Sequence, residues 1–144
     1  MKQKELLNKY LVDNNLRQTP ERYIILKYIY QTSRHFDIDF LYNCINKKEK
    51  ISKATIYNNL EILSKAKLIK KSSFNDSKIL YEKSLNKKQH DHLICNTCGE
   101  IFEFCDPRIK NILDGLEKIT NFQVHSHSLN VYGKCVNKKC NVCV

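Results

Sequence analysis

The chain has 144 residues and a formal net charge of +10, with 42% hydrophobic and 28% charged residues. That length allows one ordinary domain or two small ones, and the composition is typical of a globular protein and not of a long disordered one. No segment reaches the roughly 18 apolar residues of a membrane-spanning helix, and the polar first five residues are unlike a signal peptide, so we expect a cytoplasmic protein. In that reducing compartment the seven cysteines are predicted to bind metal and not to form disulfides.

Charged residues and potential metal ligands are divided unequally along the chain. Residues 1–84 hold 17 lysine and arginine residues against 9 aspartate and glutamate residues, whereas residues 85–144 hold 8 against 6. Four of the five histidines and six of the seven cysteines lie after residue 85. A basic first half indicates a polyanionic partner and a ligand-rich second half indicates metal. We therefore predict two domains, residues 1–84 and 85–144, with the boundary in the lysine-rich stretch 83–88.

The first half opens with three predicted helices. Apolar side chains recur at helical spacing over residues 3–14 and 37–46, and Thr19, which proline follows, is a typical N-cap for a helix between them. Arg17 and Arg22 flank the start of that second helix, where both could reach phosphate. The alternative is that both are solvated surface charges.

Ser52 is predicted to cap a fourth helix over residues 53–65. Its apolar face is formed by Ile56, Leu60 and Leu63. Its other side offers hydrogen-bonding, aromatic and cationic side chains, namely Lys53, Thr55, Tyr57, Asn58, Asn59 and Ser64. This division suits a helix in a DNA major groove, with Tyr57 against a thymine methyl and Asn58 or Asn59 paired with adenine. Taken alone, the segment favours an ordinary amphipathic surface helix.

Two short strands are predicted after that helix, over residues 68–72 and 78–82, with a turn over 73–77 between them. Helices followed by a basic β-hairpin compose a winged helix-turn-helix, in which the hairpin adds phosphate contacts. The first half is therefore predicted to bind double-stranded DNA.

The second half is predicted to form a small α/β domain. Strands are expected over residues 90–95 and 100–104, a helix is expected from Pro107, and a long strand is expected over residues 122–132. A cysteine-rich tail follows, and the apolar core of this domain is thin. We therefore expect a bound metal to stabilise it.

The cysteine spacing predicts a structural zinc site. Cys95 and Cys98 form a C-x-x-C pair, which can bind one tetrahedral zinc from a single tight turn. A second group near the end of the chain comprises Cys135, Cys140 and Cys143. Four thiolates from two such groups make a closed site with no position for a substrate. Which two of the last three cysteines bind is left open by the spacing.

A second metal site is indicated by imidazole and carboxylate side chains. His90 and His92 lie two residues apart, so their side chains point to the same face of an extended strand. Glu82 and Glu103 are expected near them, and His35 of the first half could join. Such mixed ligands suit Fe(II), Mn(II), Zn(II) and Co(II). The alternative is that these histidines are solvent-exposed side chains without a ligand.

Several motifs, in order along nearly the whole chain, resemble the ferric uptake regulator (Fur) family. They are Leu16-Arg17-Gln18-Thr19-Pro20-Glu21-Arg22, Ser52-Lys53-Ala54-Thr55-Ile56-Tyr57, Tyr81-Glu82, His90-Asp91-His92-Leu93-Ile94-Cys95 with Cys98-Gly99, Glu103-Phe104, His127-Ser128-Leu129 and Tyr132-Gly133 with Cys135. The His-Asp-His-Leu-Ile-Cys block is the most specific of them. The resemblance implies an α+β homodimer that represses transcription when metal is bound, with a winged helix that reads AT-rich operators and an α/β domain that dimerises.

The resemblance also implies roles for individual residues. The regulatory metal, Fe(II) in the first place, would be bound by a set of five side chains: His35, Glu82, His90, His92 and Glu103. The structural zinc would be bound by four cysteines: Cys95, Cys98, Cys135 and Cys140. DNA would be contacted by Arg17 in the minor groove and by Tyr57 at a thymine, within a predicted DNA-binding set of Arg17, Arg22, Lys53, Thr55, Tyr57 and Asn58. We expect no small-molecule substrate and no membrane partner.

The chain departs from the family pattern in two respects. The family's third metal site uses a histidine and a glutamate where this chain has Gln89 and Lys110, so only Asp91 and His127 remain for a weak third site. Asn58 stands where the family often has arginine, which indicates a different operator preference or phosphate contact.

Other functions fit the sequence less well. The regulatory carboxylates are both glutamate and not aspartate, which favours an iron sensor over the peroxide-sensing branch, and a zinc-uptake regulator is a further alternative. A constitutive DNA-binding module held together by zinc would bind DNA without a regulatory metal. A zinc hydrolase or deaminase is disfavoured because the chain has neither a His-Glu-x-x-His helix nor a His-x-Glu with Pro-Cys-x-x-Cys. We therefore predict that the protein is not an enzyme.

Overall fold

The computed structural model describes residues 2–33, 35–74, 78–85 and 88–136. The chain divides into two compact units, Met1–Lys87 and Lys88–Val144. The fold is α+β, as predicted, with helices and a hairpin in the first unit and a small sheet with one helix in the second. Among the described residues, no helix combines the length and the apolar character that crossing a membrane requires.

The first unit is a winged helix. Its helices are α1 (Lys2–Asp13), α2 (Pro20–Gln31), α3 (Ile38–Ile45) and α4 (Lys53–Lys65), and its hairpin consists of β1 (Ile69–Phe74) and β2 (Lys78–Lys83). The two strands are antiparallel, with Lys71 opposite Tyr81. Residues 75–77 of the predicted turn lie outside the described residues. The order of helices followed by a hairpin confirms the predicted fold class.

Capping side chains fix where two of these helices begin. The Asp37 carboxylate accepts a hydrogen bond from the Phe40 backbone N–H at 2.7 Å, and Ser52 accepts one from the Thr55 N–H at 3.2 Å. Each bond satisfies a backbone donor that the first helical turn leaves without a partner. Thr19 precedes α2 as predicted, but its side chain makes no capping bond. The pKa of Glu21, in the first turn of α2, is lowered by its own backbone N–H and then by the Thr19 side chain.

The core of the first unit is contributed by all four helices and by the hairpin. The helical side chains with no more than 3% exposure are Leu7, Leu11, Ile25, Leu26, Ile29, Leu41, Ile45, Ile56, Leu60 and Leu63. All but Ile25 were recognisable in the sequence from their helical spacing, and each of the ten contributes about 1.5–3 kcal/mol by burial. Since the apolar face of α4 lies within this core, most of its polar side chains are directed outward.

The second unit contains a three-stranded sheet in the order β4-β3-β5. Its strands are β3 (Asp91–Cys95), β4 (Ile101–Phe104) and β5 (Asn130–Gly133), and helix α5 (Pro107–Thr120) connects β4 to the segment before β5. β3 pairs antiparallel with β4 and parallel with β5. Asp106 caps α5, and its pKa is lowered to about 2 because the Arg108 side chain and backbone N–H donate to the carboxylate.

The long strand predicted over residues 122–132 is wrong. Only Asn130–Gly133 forms a strand, and residues 122–129 make no regular ladder. This segment is held mostly by side chains: the Leu129 N–H donates to Asp91 Oδ1 at 3.1 Å, and Gln89 Nε2 donates to the His127 carbonyl at 3.2 Å. Alternating residue types predicted an extended chain, but a strand also requires a neighbouring backbone with which to pair.

Apolar side chains of the second unit remain accessible on one face of its sheet. Leu93 lies opposite Phe102 on one side and Val131 on the other, and the three are 42%, 44% and 42% exposed. Helix α5 has no buried residue among those described, and Ile119 is 79% exposed. Within the described part of the chain, the apolar side chains of α5 are therefore at most partly covered.

Candidate metal centres and DNA-binding surface

In the first unit, a short backbone bridge brings an imidazole next to a carboxylate. Phe36 and Tyr81 form an isolated antiparallel bridge, in which each N–H donates to the other's carbonyl at 3.0 and 2.8 Å. Their neighbours His35 and Glu82 consequently meet, with His35 Nε2 3.3 Å from Glu82 Oε2. The two side chains are only 9% and 3% exposed. A carboxylate at this depth requires a compensating charge or hydrogen bond, which a cation could supply.

In the second unit, two imidazoles and a carboxylate meet at the start of the sheet. The rings of His90 and His92 lie 4.9 Å apart between centroids, and Glu103 stands opposite His92 on β4. Glu103 Oε1 lies 3.7 Å from His90 Nε2. His90 Nδ1 lies 2.9 Å from the carbonyl oxygen of Lys88. A carbonyl only accepts, so a hydrogen bond here is donated by Nδ1 and leaves Nε2 as the nitrogen that could bind a metal, as in metal-binding histidines.

Each of these two groups has donor atoms suited to a divalent transition metal. Each combines imidazole nitrogen with carboxylate oxygen, a mixture that suits Fe(II), Mn(II), Co(II) and Zn(II) better than the thiolate-preferring Cu(I). All five residues that the sequence predicted as regulatory ligands belong to one group or the other.

Three cysteines converge at the other end of β3. The Sγ atoms of Cys95, Cys98 and Cys135 all lie within 4.8 Å of one another, and those of Cys98 and Cys135 are 4.0 Å apart. Two ligands of a tetrahedral zinc with Zn–S bonds of about 2.3 Å would lie about 3.8 Å apart, so the geometry fits zinc. Cys140 and Cys143, among which the fourth ligand was predicted, lie outside the described residues.

A tight turn produces this convergence. Gly99 has a φ of +75°, a backbone conformation that residues other than glycine rarely adopt. Its N–H donates to the Cys95 carbonyl at 2.9 Å. The Asn96 N–H donates to the Gly133 carbonyl at 2.8 Å, which holds the turn against the end of β5. Cys135 follows that strand by two residues and therefore reaches the same place.

The residues of the predicted third site are hydrogen-bonded to each other and to the neighbouring backbone. His127 Nε2 lies 3.3 Å from Asp91 Oδ2, while Asp91 Oδ1 accepts from the Leu129 N–H. Gln89 binds the His127 carbonyl through its amide, where a histidine would have offered a metal ligand. Both oxygens of Asp91 are thus engaged within the protein, and these contacts favour a structural role.

The outer face of α4 carries most of the predicted DNA contacts. Tyr57 is 46% exposed, and Lys53 and Asn58 are exposed as well. Thr55 is half-buried, and its hydroxyl lies 2.9 Å from that of Ser52. The predicted adenine contact of Asn59 is wrong, because Asn59 is only 5% exposed and its amide is engaged inside the unit.

Arg22 and Lys53 form intramolecular contacts that the sequence did not reveal. Arg22 Nη1 donates to Asn59 Oδ1 at 2.9 Å, so part of the guanidinium is already bound within the unit. The phosphate contact predicted for Arg22 stays a prediction. Lys53 Nζ lies 2.6 Å from Asp39 Oδ1, and this hydrogen bond raises the pKa of Lys53. Helical spacing reports which face is apolar, and it does not report partners 14 or 37 residues away.

A winged helix and an α/β unit with two kinds of metal-ligand cluster define the architecture of a metal-responsive DNA-binding regulator. The chain belongs to the ferric uptake regulator family, whose model matches residues 13–132. Members of the family regulate transcription in response to metal.

Relatives with two different roles are similar to this chain. The peroxide-responsive repressor PerR of Staphylococcus epidermidis is 32% identical over 126 residues, which cover 87% of this chain and 81% of the relative. The ferric uptake regulation protein of Campylobacter jejuni is 33% identical over 134 residues, which cover 91% and 85%.

Solved structures of Fur proteins share the fold. The Helicobacter pylori ferric uptake regulator, described as having three functional metal-binding sites, superposes with a TM-score of 0.87 at 28% identity and covers 97% of this chain and 92% of its own. The Vibrio cholerae Fur structure gives a TM-score of 0.76 at 34% identity, with 89% and 98% covered.

Proposed function

We propose that the protein is a transcriptional repressor that binds an AT-rich operator as a homodimer when Fe(II) is bound. Membership of the family supports the role of a metal-dependent transcriptional repressor. The observation that carries the proposal is the arrangement of His90, His92 and Glu103 in one unit and of His35 with Glu82 in the winged helix. Histidine and carboxylate ligands are thus present in the unit that would bind DNA as well as in the other.

The regulatory metal is proposed to be bound by all five of these side chains. A divalent cation would offset the negative charge of Glu82, which burial would otherwise destabilise. A metal that takes ligands from both units binds best when the two sets come together, so its binding would select the arrangement that reads DNA. Mn(II), Co(II) and Zn(II) are the expected substitutes for Fe(II).

A second metal, zinc, is proposed to have a structural role. Cys95, Cys98 and Cys135 supply three thiolates within bonding geometry of one another, and Cys140 is the proposed fourth ligand, with Cys143 as the alternative. Four thiolates leave no open coordination position, so such a zinc would stabilise the second unit without reacting.

The accessible apolar side chains of the second unit support the homodimer. Leu93, Phe102 and Val131 form an apolar row across the sheet, and Ile119 and Phe122 are 79% and 67% exposed. Apolar area of this kind is costly in water and is typical of surfaces that a second copy covers. A dimer would also place two α4 helices on the DNA, in the manner of other dimeric helix-turn-helix proteins.

The DNA-binding face is proposed to comprise Arg17 together with the outer side of α4. Tyr57 and Asn58 are accessible for base contacts, and Lys53 is placed for phosphate. The excess of positive charge in residues 1–84 supports this partner, since it attracts the phosphate backbone. The proposed setting is the cytoplasm, with double-stranded DNA and not a small molecule as the partner.

The proposal is tested with a duplex selected from a randomised library by the full-length, Mn(II)-loaded protein. The dissociation constant of this selected duplex is then measured for chelator-treated protein, for Mn(II)-loaded protein and, without oxygen, for Fe(II)-loaded protein. We expect metal to tighten binding by a factor of about 5–150, the usual range of allosteric coupling. If chelator-treated and metal-loaded protein bind the duplex with equal affinity, the alternative of a constitutive DNA-binding module held together by zinc is favoured instead.

A peroxide sensor is the second candidate, because PerR and Fur relatives match this chain with nearly equal identity. The same selected duplex separates the two. An iron sensor should release it on chelation only, whereas a peroxide sensor should also release it after hydrogen peroxide treatment of the Fe(II)-loaded complex. A zinc-uptake regulator should respond to added Zn(II) at concentrations where Fe(II) and Mn(II) are without effect.

A further inference from the structure

We propose that Arg22 and Asn59 are positioning residues for DNA recognition, which act by joining α2 to α4 and not by contacting DNA. The inference rests on the proposed repressor function and assigns Arg22 a role different from the phosphate contact predicted from sequence.

Arg22 joins two segments that are distant in sequence. It lies in the first turn of α2, where its Nε donates to the carbonyl oxygen of Arg17 at 2.8 Å. A second nitrogen, Nη1, donates to Asn59 Oδ1 at 2.9 Å. One guanidinium thus bonds the connection between α1 and α2 on one side and the middle of α4 on the other.

Asn59 is suited to receive this bond. It is 5% exposed, and its Nδ2 donates to the Thr55 carbonyl one helical turn earlier at 2.8 Å. Both ends of the amide are therefore paired, and the opposite orientation would place an NH2 group against the guanidinium. A buried amide that loses its partner is destabilised relative to one that keeps it, so the pair should persist.

The joined segments carry the proposed DNA contacts. Arg17 is exposed and belongs to the connection whose carbonyl Arg22 binds, while Tyr57 and Asn58 precede Asn59 on α4. A small misplacement of a base-reading group costs selectivity, because base contacts depend on hydrogen-bond geometry whereas phosphate contacts tolerate displacement. The Arg22–Asn59 pair would hold Arg17, proposed for the minor groove, at a fixed distance and orientation from Tyr57 and Asn58, proposed for the major groove.

Replacing Arg22 by lysine distinguishes a positioning role of this residue from a phosphate contact. A phosphate can be bound by the single charge of a lysine, but two divergent acceptors require the several N–H groups of a planar guanidinium. The variants are therefore Arg22→Lys, which preserves charge, Asn59→Ala, which preserves the arginine, and the double variant. Lys27→Gln, at an exposed position of α2, is the control for loss of one cation.

Each variant, in full length and loaded with Mn(II), is titrated with the selected duplex and with a scrambled duplex of the same composition, over a range of salt concentrations. We expect Arg22→Lys and Asn59→Ala each to weaken the selected duplex about tenfold, the effect of losing one charge-assisted hydrogen bond. The double variant should be no weaker than either single one, because both remove the same pair. Binding of the scrambled duplex and the salt dependence should match the wild type, and Lys27→Gln should keep the preference for the selected duplex.

Three results would overturn the positioning role. The first is that Arg22→Lys and Asn59→Ala both bind the selected duplex with the affinity of the wild type. The second is an equal loss on both duplexes, with a salt slope reduced by about one in an Arg22→Gln variant, which would reveal a direct phosphate contact. The third is loss of folding in both single variants, measured by circular dichroism, which would leave only a structural role. A metal-loaded wild type that does not prefer the selected duplex overturns the proposed function itself, and the positioning role with it.

Discussion

The backbone of Phe36 exchanges two hydrogen bonds with the backbone of Tyr81, and this bridge sets His35 beside Glu82. The rings of Phe36 and Tyr81 also stack, with centroids 5.9 Å apart, and both side chains are buried. The two proposed ligands of the winged helix, His35 and Glu82, are therefore positioned by backbone hydrogen bonds and core packing.

His35→Ala should weaken Mn(II) binding by at least about tenfold, the lower end of what loss of a metal-site partner usually costs. The affinity of metal-free protein for the selected duplex should stay unchanged, because His35 is not among the proposed DNA contacts. Mn(II) affinity is followed by electron paramagnetic resonance of the free ion. His125→Ala is the matched control, at an exposed histidine outside both metal groups. Equal Mn(II) affinity in the two variants would remove His35 from the ligand set.

Cys98→Ser should release zinc and destabilise the second unit. Its Sγ lies among the three converging cysteines, and zinc-site binding in small domains contributes on the order of 10 kcal/mol to folding. Zinc content per chain by mass spectrometry and the thermal unfolding transition are the measurements. Cys105→Ser, at an exposed cysteine outside the cluster, should retain the zinc content and the thermal unfolding transition of the wild type. A Cys98→Ser protein with full zinc content would show that the cluster is not the zinc site.

Asp39→Asn should increase DNA affinity a few-fold. The Asp39 carboxylate now holds Lys53 Nζ at 2.6 Å, and removing its charge would free the lysine for phosphate and remove a repelling anion. Stability should change by less than about 0.5 kcal/mol, because both side chains are more than half exposed. Titration of the selected duplex at low and high salt is the measurement, with the exposed Asp13→Asn of α1 as control. An unchanged or lower affinity would mean that Lys53 does not face the phosphates.

Leu93→Lys should dissociate the proposed homodimer. Leu93 stands in the middle of the apolar row between Phe102 and Val131, where a charge would have to be buried without a partner if a second copy covered it. Sedimentation of the wild type should give the mass of two chains, and that of the variant the mass of one. Val12→Lys, at an apolar residue of α1 that is 65% exposed, should leave the dimer intact. A dimeric Leu93→Lys protein would place the interface elsewhere.

The sequence predicted those features that depend on local pattern. Ser52 as a cap, the apolar face of α4 and the paired strands of the hairpin all follow from spacing and residue type. The long strand over residues 122–132 was wrong because alternation reports an extended chain without reporting whether another strand lies beside it.

Features that depend on distant partners could not be predicted from pattern. The Phe36–Tyr81 bridge involves a single residue on each side, so it leaves no periodicity. From the sequence pattern His35 was only an optional member of the ligand set, and the family resemblance made it a predicted ligand. Helical spacing places Asn59 on the polar side of α4, but in the structure it is buried and accepts a hydrogen bond from Arg22 of α2. Such pairs become visible only when the helices are packed.

The central claim is that the regulatory metal and DNA stabilise the same state, and thermodynamic reciprocity tests it most directly. The measurement is the affinity of the wild-type protein for Mn(II), by electron paramagnetic resonance, without DNA and with saturating selected duplex. We expect the duplex to tighten Mn(II) binding by the same factor by which Mn(II) tightens the duplex, and we expect a scrambled duplex to have a much smaller effect. An Mn(II) affinity that is the same with and without the selected duplex would contradict the claim.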